Sequence, residues 1–138
     1  MIVRIKGIYL IASVLLLGCS ARDTKLEQYI VEGEQLYNKH CSNCHQSTGK
    51  GLGLVYPPVD RSDYMDANFN EVICLMKYGK KGELVVNGKK FNQAMPGVPS
   101  LTELELAEIA TFLYNYWDRK SGLITIDSVA GALKTCED

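Results

Sequence analysis

The sequence predicts a mainly helical domain with one small β-hairpin and a short extra helix at its C-terminal end. Three observations carry this expectation. Apolar residues recur at helical spacing in three separate stretches, around 25–40, 68–78 and 100–117. One Asn-Gly pair, Asn87-Gly88, separates two short runs, Glu83–Val86 and Lys89–Phe91, and Asn-Gly is the favoured type I′ hairpin turn. The segments between are rich in Gly and Pro and read as loops. At 138 residues with 46% apolar content, the chain can build one small core.

Taken in order, residues 1–18 read as a secretory leader. Arg4 and Lys6 make a positive start, and Gly7 to Leu17 an apolar run too short for a comfortable bilayer span. Its end, Leu16-Leu17-Gly18-Cys19, resembles the bacterial lipoprotein box. That resemblance implies cleavage before Cys19, diacylglycerol on its thiol and anchoring to a bacterial membrane; a plain signal peptide or an uncleaved anchor stays open. Ser20 stands where some lipoproteins held at the inner membrane carry aspartate, which favours the outer membrane. Residues 19–25 are short and polar and read as a tether, leaving 26–138 as the domain. Every one of these readings places the domain outside the cytosol. The net charge of −1 becomes −3 once Arg4 and Lys6 are removed, so nothing here is basic enough to bind nucleic acid.

A helix from about Lys25 to His40 presents Leu26, Tyr29, Ile30, Gly33, Leu36 and Tyr37 at helical spacing. A glycine inside a helix costs roughly 1 kcal/mol against alanine, so Gly33 is expected where another helix approaches closely. Directly after comes Cys41-Ser42-Asn43-Cys44-His45, the Cys-x-x-Cys-His attachment signature for c-type haem. Two thiols on one helical turn can add across the two porphyrin vinyl groups as thioethers. The next residue, His45, then lies under the iron as an axial ligand. Zinc and redox-dithiol chemistry are the competitors. A zinc site would normally show a second close ligand pair, whereas Cys74 and Cys136 stand alone and far apart; a thioredoxin-like dithiol wants a βαβ pattern that the flanks lack.

Gly33, a Tyr four residues on and Cys-x-x-Cys-His together resemble the N-terminal helix of class I cytochromes c. In that family the helix crosses the C-terminal helix at the small residue. The loop Gln46–Val59, with Gly49, Gly51, Gly53, Pro57 and Pro58, resembles the family's loop on the histidine side of the haem. The resemblance implies that a proline carbonyl accepts a hydrogen bond from the second nitrogen of the axial histidine. Pro58 is the first candidate and Pro57 the alternative. Such a bond fixes the tautomer and makes the ligand more basic. Arg61, Tyr56 and Tyr64 can reach haem propionates or serve the surface.

A second helix is expected over about Asn68 to Tyr78, stopping at Gly79, with Val72, Leu75 and Met76 on one face and Cys74 off it. After the hairpin comes Ala94-Met95-Pro96-Gly97-Val98-Pro99. A methionine in stiff, proline-rich backbone, just before the last long helix, resembles the distal-ligand loop of class I cytochromes c. Met95, fifty residues after His45, is therefore the expected second axial ligand. Met76 reads as core, and Met65 lies too soon after the histidine loop. The last long helix opens near Ser100–Thr102, where both Ser100-x-x-Glu103 and Thr102-x-x-Glu105 fit a capping box. It runs through Leu106, Ile109, Phe112, Leu113 and Tyr116 to Trp117. Ser121-Gly122 breaks it, and Ile126, Val129, Leu133 and Cys136 line one face of an extension helix within 121–138.

Of five cysteines, one is assigned to lipid and two to haem, leaving Cys74 and Cys136. Outside the cytosol a leftover pair reads as a disulfide, with two separate buried thiols as the alternative. The resemblance covers about residues 26–117 and implies an all-α fold around one covalent haem c and its iron, with one exposed edge. It implies electron transfer between redox protein partners, a donor and an acceptor, and no enzymatic activity. A haem subunit or accessory lipoprotein of a respiratory or dehydrogenase complex is the alternative. A sensor or enzyme with an open iron position would require Met95 to be off the iron.

Overall fold

The computed structural model describes residues 21–136. The segment expected to be a leader, the expected lipidation site Cys19, and Ser20 lie outside these residues. Helix α1 spans Ala21–His40. It begins four residues ahead of the expected start because Ala21–Thr24, part of the segment read as a tether, carry no apolar period to reveal them. Tyr29, Gly33 and Tyr37, four residues apart, form its buried stripe. A four-residue turn, α2 (Ser42–His45), follows. Helix α3 (Asp63–Ala67) is capped by Ser62, whose hydroxyl accepts from the Met65 N–H at 3.3 Å. Helix α4 (Phe69–Tyr78) ends at Gly79, φ 81°, as a glycine after a helix should.

Helix α5 (Glu103–Asn115) is the centre of the molecule. It buries Leu106, Ala107 and every residue from Ile109 to Tyr114, so it is apolar nearly all round, as a helix packed on several sides must be. Of the two expected capping boxes, the structure uses Thr102 with Glu105. The helix stops at Asn115, two residues before Trp117. Trp117 and Asp118 take left-handed backbone, φ 50° and 66°, which turns the indole back onto Tyr37 and Phe112.

Helix α1 crosses α5 at Gly33. A Cβ there would strike the Glu108 carbonyl oxygen and lie 2.8 Å from Phe112 Cβ, so only glycine allows this approach. After the turn at 116–118 the chain is strapped back onto α5: the Asn115 amide donates to Gly122 O (2.7 Å) and accepts from Gly122 N–H (2.8 Å). Helix α6 (Ile126–Leu133), capped by Thr125, packs against both α4 and α5. It buries Val129 and Ala132; Ile126 of the expected face is exposed at the first position of the helix. Cys74 of α4 and Cys136 are joined, their sulfurs 2.05 Å apart.

Among the described residues, four short strands accompany the helices. Strands β2 (Leu84–Val86) and β3 (Lys89–Phe91) form the hairpin, with Asn87 and Gly88 both at positive φ as a type I′ turn requires. Two bonds with Asp63 clip its tip: the Asn87 N–H donates to Asp63 Oδ1, and the Asp63 N–H to Asn87 Oδ1 at 3.0 Å. Strands β1 (Gly79–Lys80) and β4 (Met95–Pro96) pair antiparallel, Gly79 with Pro96 and Lys80 with Met95. This second ladder has no sequence signal: two residues are too few for an alternation to show.

Candidate haem site

Helix α1 delivers the cysteines. The Cys41 N–H still donates to Tyr37 O (2.8 Å), then the chain bends and the tight turn α2 closes with Cys44 and His45 N–H groups on Cys41 O (3.1 and 3.0 Å). Both motif thiols and the imidazole thus stand on one turn. Burial pushes the Cys41 thiol up to about 11, and the neighbouring Cys44 adds to it. At the end of the turn Gln46 takes positive φ, and its carbonyl accepts the Tyr37 hydroxyl at 2.6 Å, tying the turn back to α1.

The following loop folds back on His45. The Val59 and Asp60 N–H groups both donate to Gly49 O, and the Gly51 N–H donates to His45 O at 3.0 Å. Gly51, at φ 66°, lies so close to the Tyr56 and Pro57 carbonyls that a Cβ would collide with both. This return sets Pro57 O 2.9 Å from His45 Nδ1. The acceptor is therefore Pro57, and the first candidate, Pro58, is corrected. The Leu52–Tyr56 bridge ends one residue before Pro57 and fixes which carbonyl arrives, while Pro58 lines the neighbouring cleft. Two adjacent prolines carry no sequence signal that separates them. His45 is 9% exposed. Burial lowers its pKa, with the Pro57 bond opposing, so the ring favours the neutral form.

Three adjoining clefts of about 430–560 Å³ open around this turn. His45 and Met95 are the two residues that line all three; Cys41 lines two and Cys44 two. The walls are otherwise largely apolar, with Leu75, Met76 and Leu84 among them. Met65 is buried in the second cleft alone, its carbonyl accepting the Tyr114 hydroxyl at 2.7 Å, and Met76 lines two. Of the expected polar residues, Tyr56 lines the first cleft and Tyr64 the second. Arg61 turns to solvent beside Asp118, 3.4 Å away. The Tyr64 hydroxyl is buried with the Glu71 carboxylate nearby, and its pKa is raised first by that burial and then by Glu71.

These residues fit a c-type haem: two thiols one turn apart, an imidazole, a thioether and apolar walls. Among the described residues no group of three or more His, Cys, Asp or Glu side chains is arranged to hold a metal ion between them. A feature the sequence did not disclose is how Met95 is held. Its strand lies on the end of α4, where Gly79 and Gly97 face each other with no room for a Cβ on either.

Comparison with known proteins agrees with this geometry. The family model for cytochrome c matches residues 30–117. Two cytochromes c-552 of Thermus thermophilus are each 27% identical over 90 residues. The match covers 62% of this chain and 68% and 60% of theirs. The chain belongs to the cytochrome c family, whose members hold one covalent haem c and use it for electron transfer.

Proposed function

We propose that this protein is an extracytoplasmic electron carrier in which His45 and Met95 would ligate the iron of a haem joined to Cys41 and Cys44. The observation that carries the reading is that His45 and Met95 alone line all three clefts around the motif turn. When bound, the haem supplies a one-electron couple. The chain's own residues do the rest. Pro57 holds the Nδ1 proton, which leaves the His45 Nε2 lone pair for metal. Met95 is fixed in a ladder rather than on a free loop, and the apolar walls exclude water. With His45 and Met95 both committed to the iron, the site would offer a substrate no open position, which suits an electron carrier and not an enzyme. Lipid on Cys19 would anchor the carrier to a bacterial membrane, the outer one by the Ser20 reading, close to its redox donor and acceptor. Among the described residues no helix is long and apolar enough to cross a membrane.

The test is an optical spectrum of the full-chain holoprotein, oxidised and reduced, with carbon monoxide added to the reduced form. The expected result is a near-infrared thioether-to-iron band, lost in Met95→Ala with a fall in reduction potential, and no carbon monoxide binding by the wild type. High-spin features and ready carbon monoxide binding in the wild type would overturn it in favour of an open iron. Intact mass of the same preparation checks the anchor: acyl chains on a polypeptide that begins at Cys19 are expected, and an unlipidated chain would remove that part of the reading.

A further inference from the structure

The segment from Met95 to Leu101 runs without regular structure after its first two residues, and Pro96 and Pro99 have no N–H to donate. Its hydrogen bonds to the rest of the molecule are concentrated on the last turn of α4 and the two residues that follow it. The near half is held by the Gly79–Pro96 and Lys80–Met95 pairs and by the Val98 N–H donating to Met76 O at 2.9 Å. The far half is held by the Leu101 side chain, buried in the core, and by one polar side chain. The Lys77 ammonium donates to Pro99 O at 2.7 Å and to Leu101 O at 2.6 Å.

Lys77 is half-buried and sits where the negative end of the α4 dipole favours a cation. Neighbouring lysines pair with carboxylates, Lys80 with Glu71 and Lys90 with Glu83. Lys77 instead spends two of its three donors on backbone carbonyls of the segment that begins with Met95. Hydrogen bonds from a charged donor are about twice as strong as neutral ones. The carbonyls they satisfy sit in an irregular segment with few other backbone partners.

We propose that Lys77 is a positioning residue for the axial methionine: its ammonium clamps the far end of the 95–101 segment to α4, so that Met95 cannot swing off the iron. This rests on Met95 being the ligand. A lysine that only caps the helix would act on α4; this one acts on the segment that carries the sulfur.

The probe is imidazole, which competes with methionine for ferric iron and, unlike alkali, does not recruit a lysine as the replacing ligand. In the full-chain holoprotein, loss of the near-infrared thioether band is followed as imidazole is added. Lys77→Met keeps the apolar stem and removes the donors. It should bind imidazole roughly tenfold more tightly, the scale of losing hydrogen bonds from a charged group. Lys77→Arg, which can still bridge two carbonyls, should stay close to wild type. Lys77→Gln, with one amide to offer, should fall between, and serves if Lys77→Met does not accumulate with haem. A lower thermal midpoint in Lys77→Met with unchanged imidazole affinity would overturn the positioning role and leave Met95 ligation standing. A wild type without the thioether band, indistinguishable from Met95→Ala, would overturn the ligation and this inference with it.

Discussion

A carbonyl oxygen has no proton to give, so the 2.9 Å contact between Pro57 O and His45 Nδ1 assigns the tautomer by itself: Nδ1 carries the hydrogen and Nε2 carries the lone pair. The chemistry of the site at this scale depends on which single atom faces which. The same holds at Thr102. Its hydroxyl accepts from the Glu105 N–H at 3.2 Å, while Glu105 Oε2 accepts from the Thr102 N–H at 2.8 Å. Those bonds from Thr102, backbone first, hold the Glu105 carboxyl below its ordinary range; Lys39 and His40 add a smaller pull. A carboxylate whose folded pKa is depressed stabilises the fold above its unfolded pKa, and that contribution is lost as pH falls through the lower folded value. Thr102→Ala should therefore cost about 1 kcal/mol near neutral pH. The gap to wild type should narrow as pH drops below the ordinary glutamate range. Thermal midpoints of both proteins across that window decide it; a gap that stays constant would mean the box contributes nothing through its charge.

At the scale of elements, the α1–α5 crossing is the contact on which the domain turns. Exchanging Gly33 for Ala would ordinarily gain about 1 kcal/mol of helix propensity. Here the new Cβ meets the Glu108 carbonyl and lies 2.8 Å from Phe112 Cβ, both in an element that cannot yield cheaply. Overpacking of that kind costs typically about 1–3 kcal/mol, so Gly33→Ala should be net destabilising, read as a lower midpoint in denaturant at unchanged m-value. A neutral or stabilising outcome would mean that the helices can slide apart. This crossing was legible in the sequence because a glycine inside an otherwise good helix needs a reason. So were the Cys-x-x-Cys-His turn and the Asn-Gly hairpin, where residue type alone restricts the backbone. The choice of Pro57 over Pro58, the early stop of α5 at Asn115 and the β1–β4 ladder were not legible. Each depends on how two distant segments meet, and none leaves a local pattern. Lys77 was hidden for the same reason: its partners are backbone carbonyls, which every residue has.

For the molecule as a whole, the layers are α1 crossed on α5, α4 alongside, and α6 laid over both, with Cys74–Cys136 closing the outer layer to the inner one. The two cysteines are 62 residues apart, and by loop entropy such a link stabilises by about 4 kcal/mol, less any loss to strain. The link also creates a problem of timing during biogenesis. Thioether formation needs Cys41 and Cys44 as thiols, and in the extracytoplasmic setting proposed above thiols are oxidised. Cys136 follows Cys41 by ninety-five residues, so at typical synthesis rates it appears about 5–20 s later. Cys74 follows Cys41 by thirty-three residues, and from its arrival it is the only domain thiol outside the motif and can capture a motif cysteine as a wrong partner until Cys136 arrives to claim it. Cys136→Ala should therefore lower the fraction of chains that carry haem more than the double variant Cys74→Ala/Cys136→Ala does, although both lack the same cross-link. Haem-to-protein ratios for the pair measure this, and equal ratios would mean that the link matters only after folding. On this view Cys136 guards the haem motif before it ever braces the finished fold.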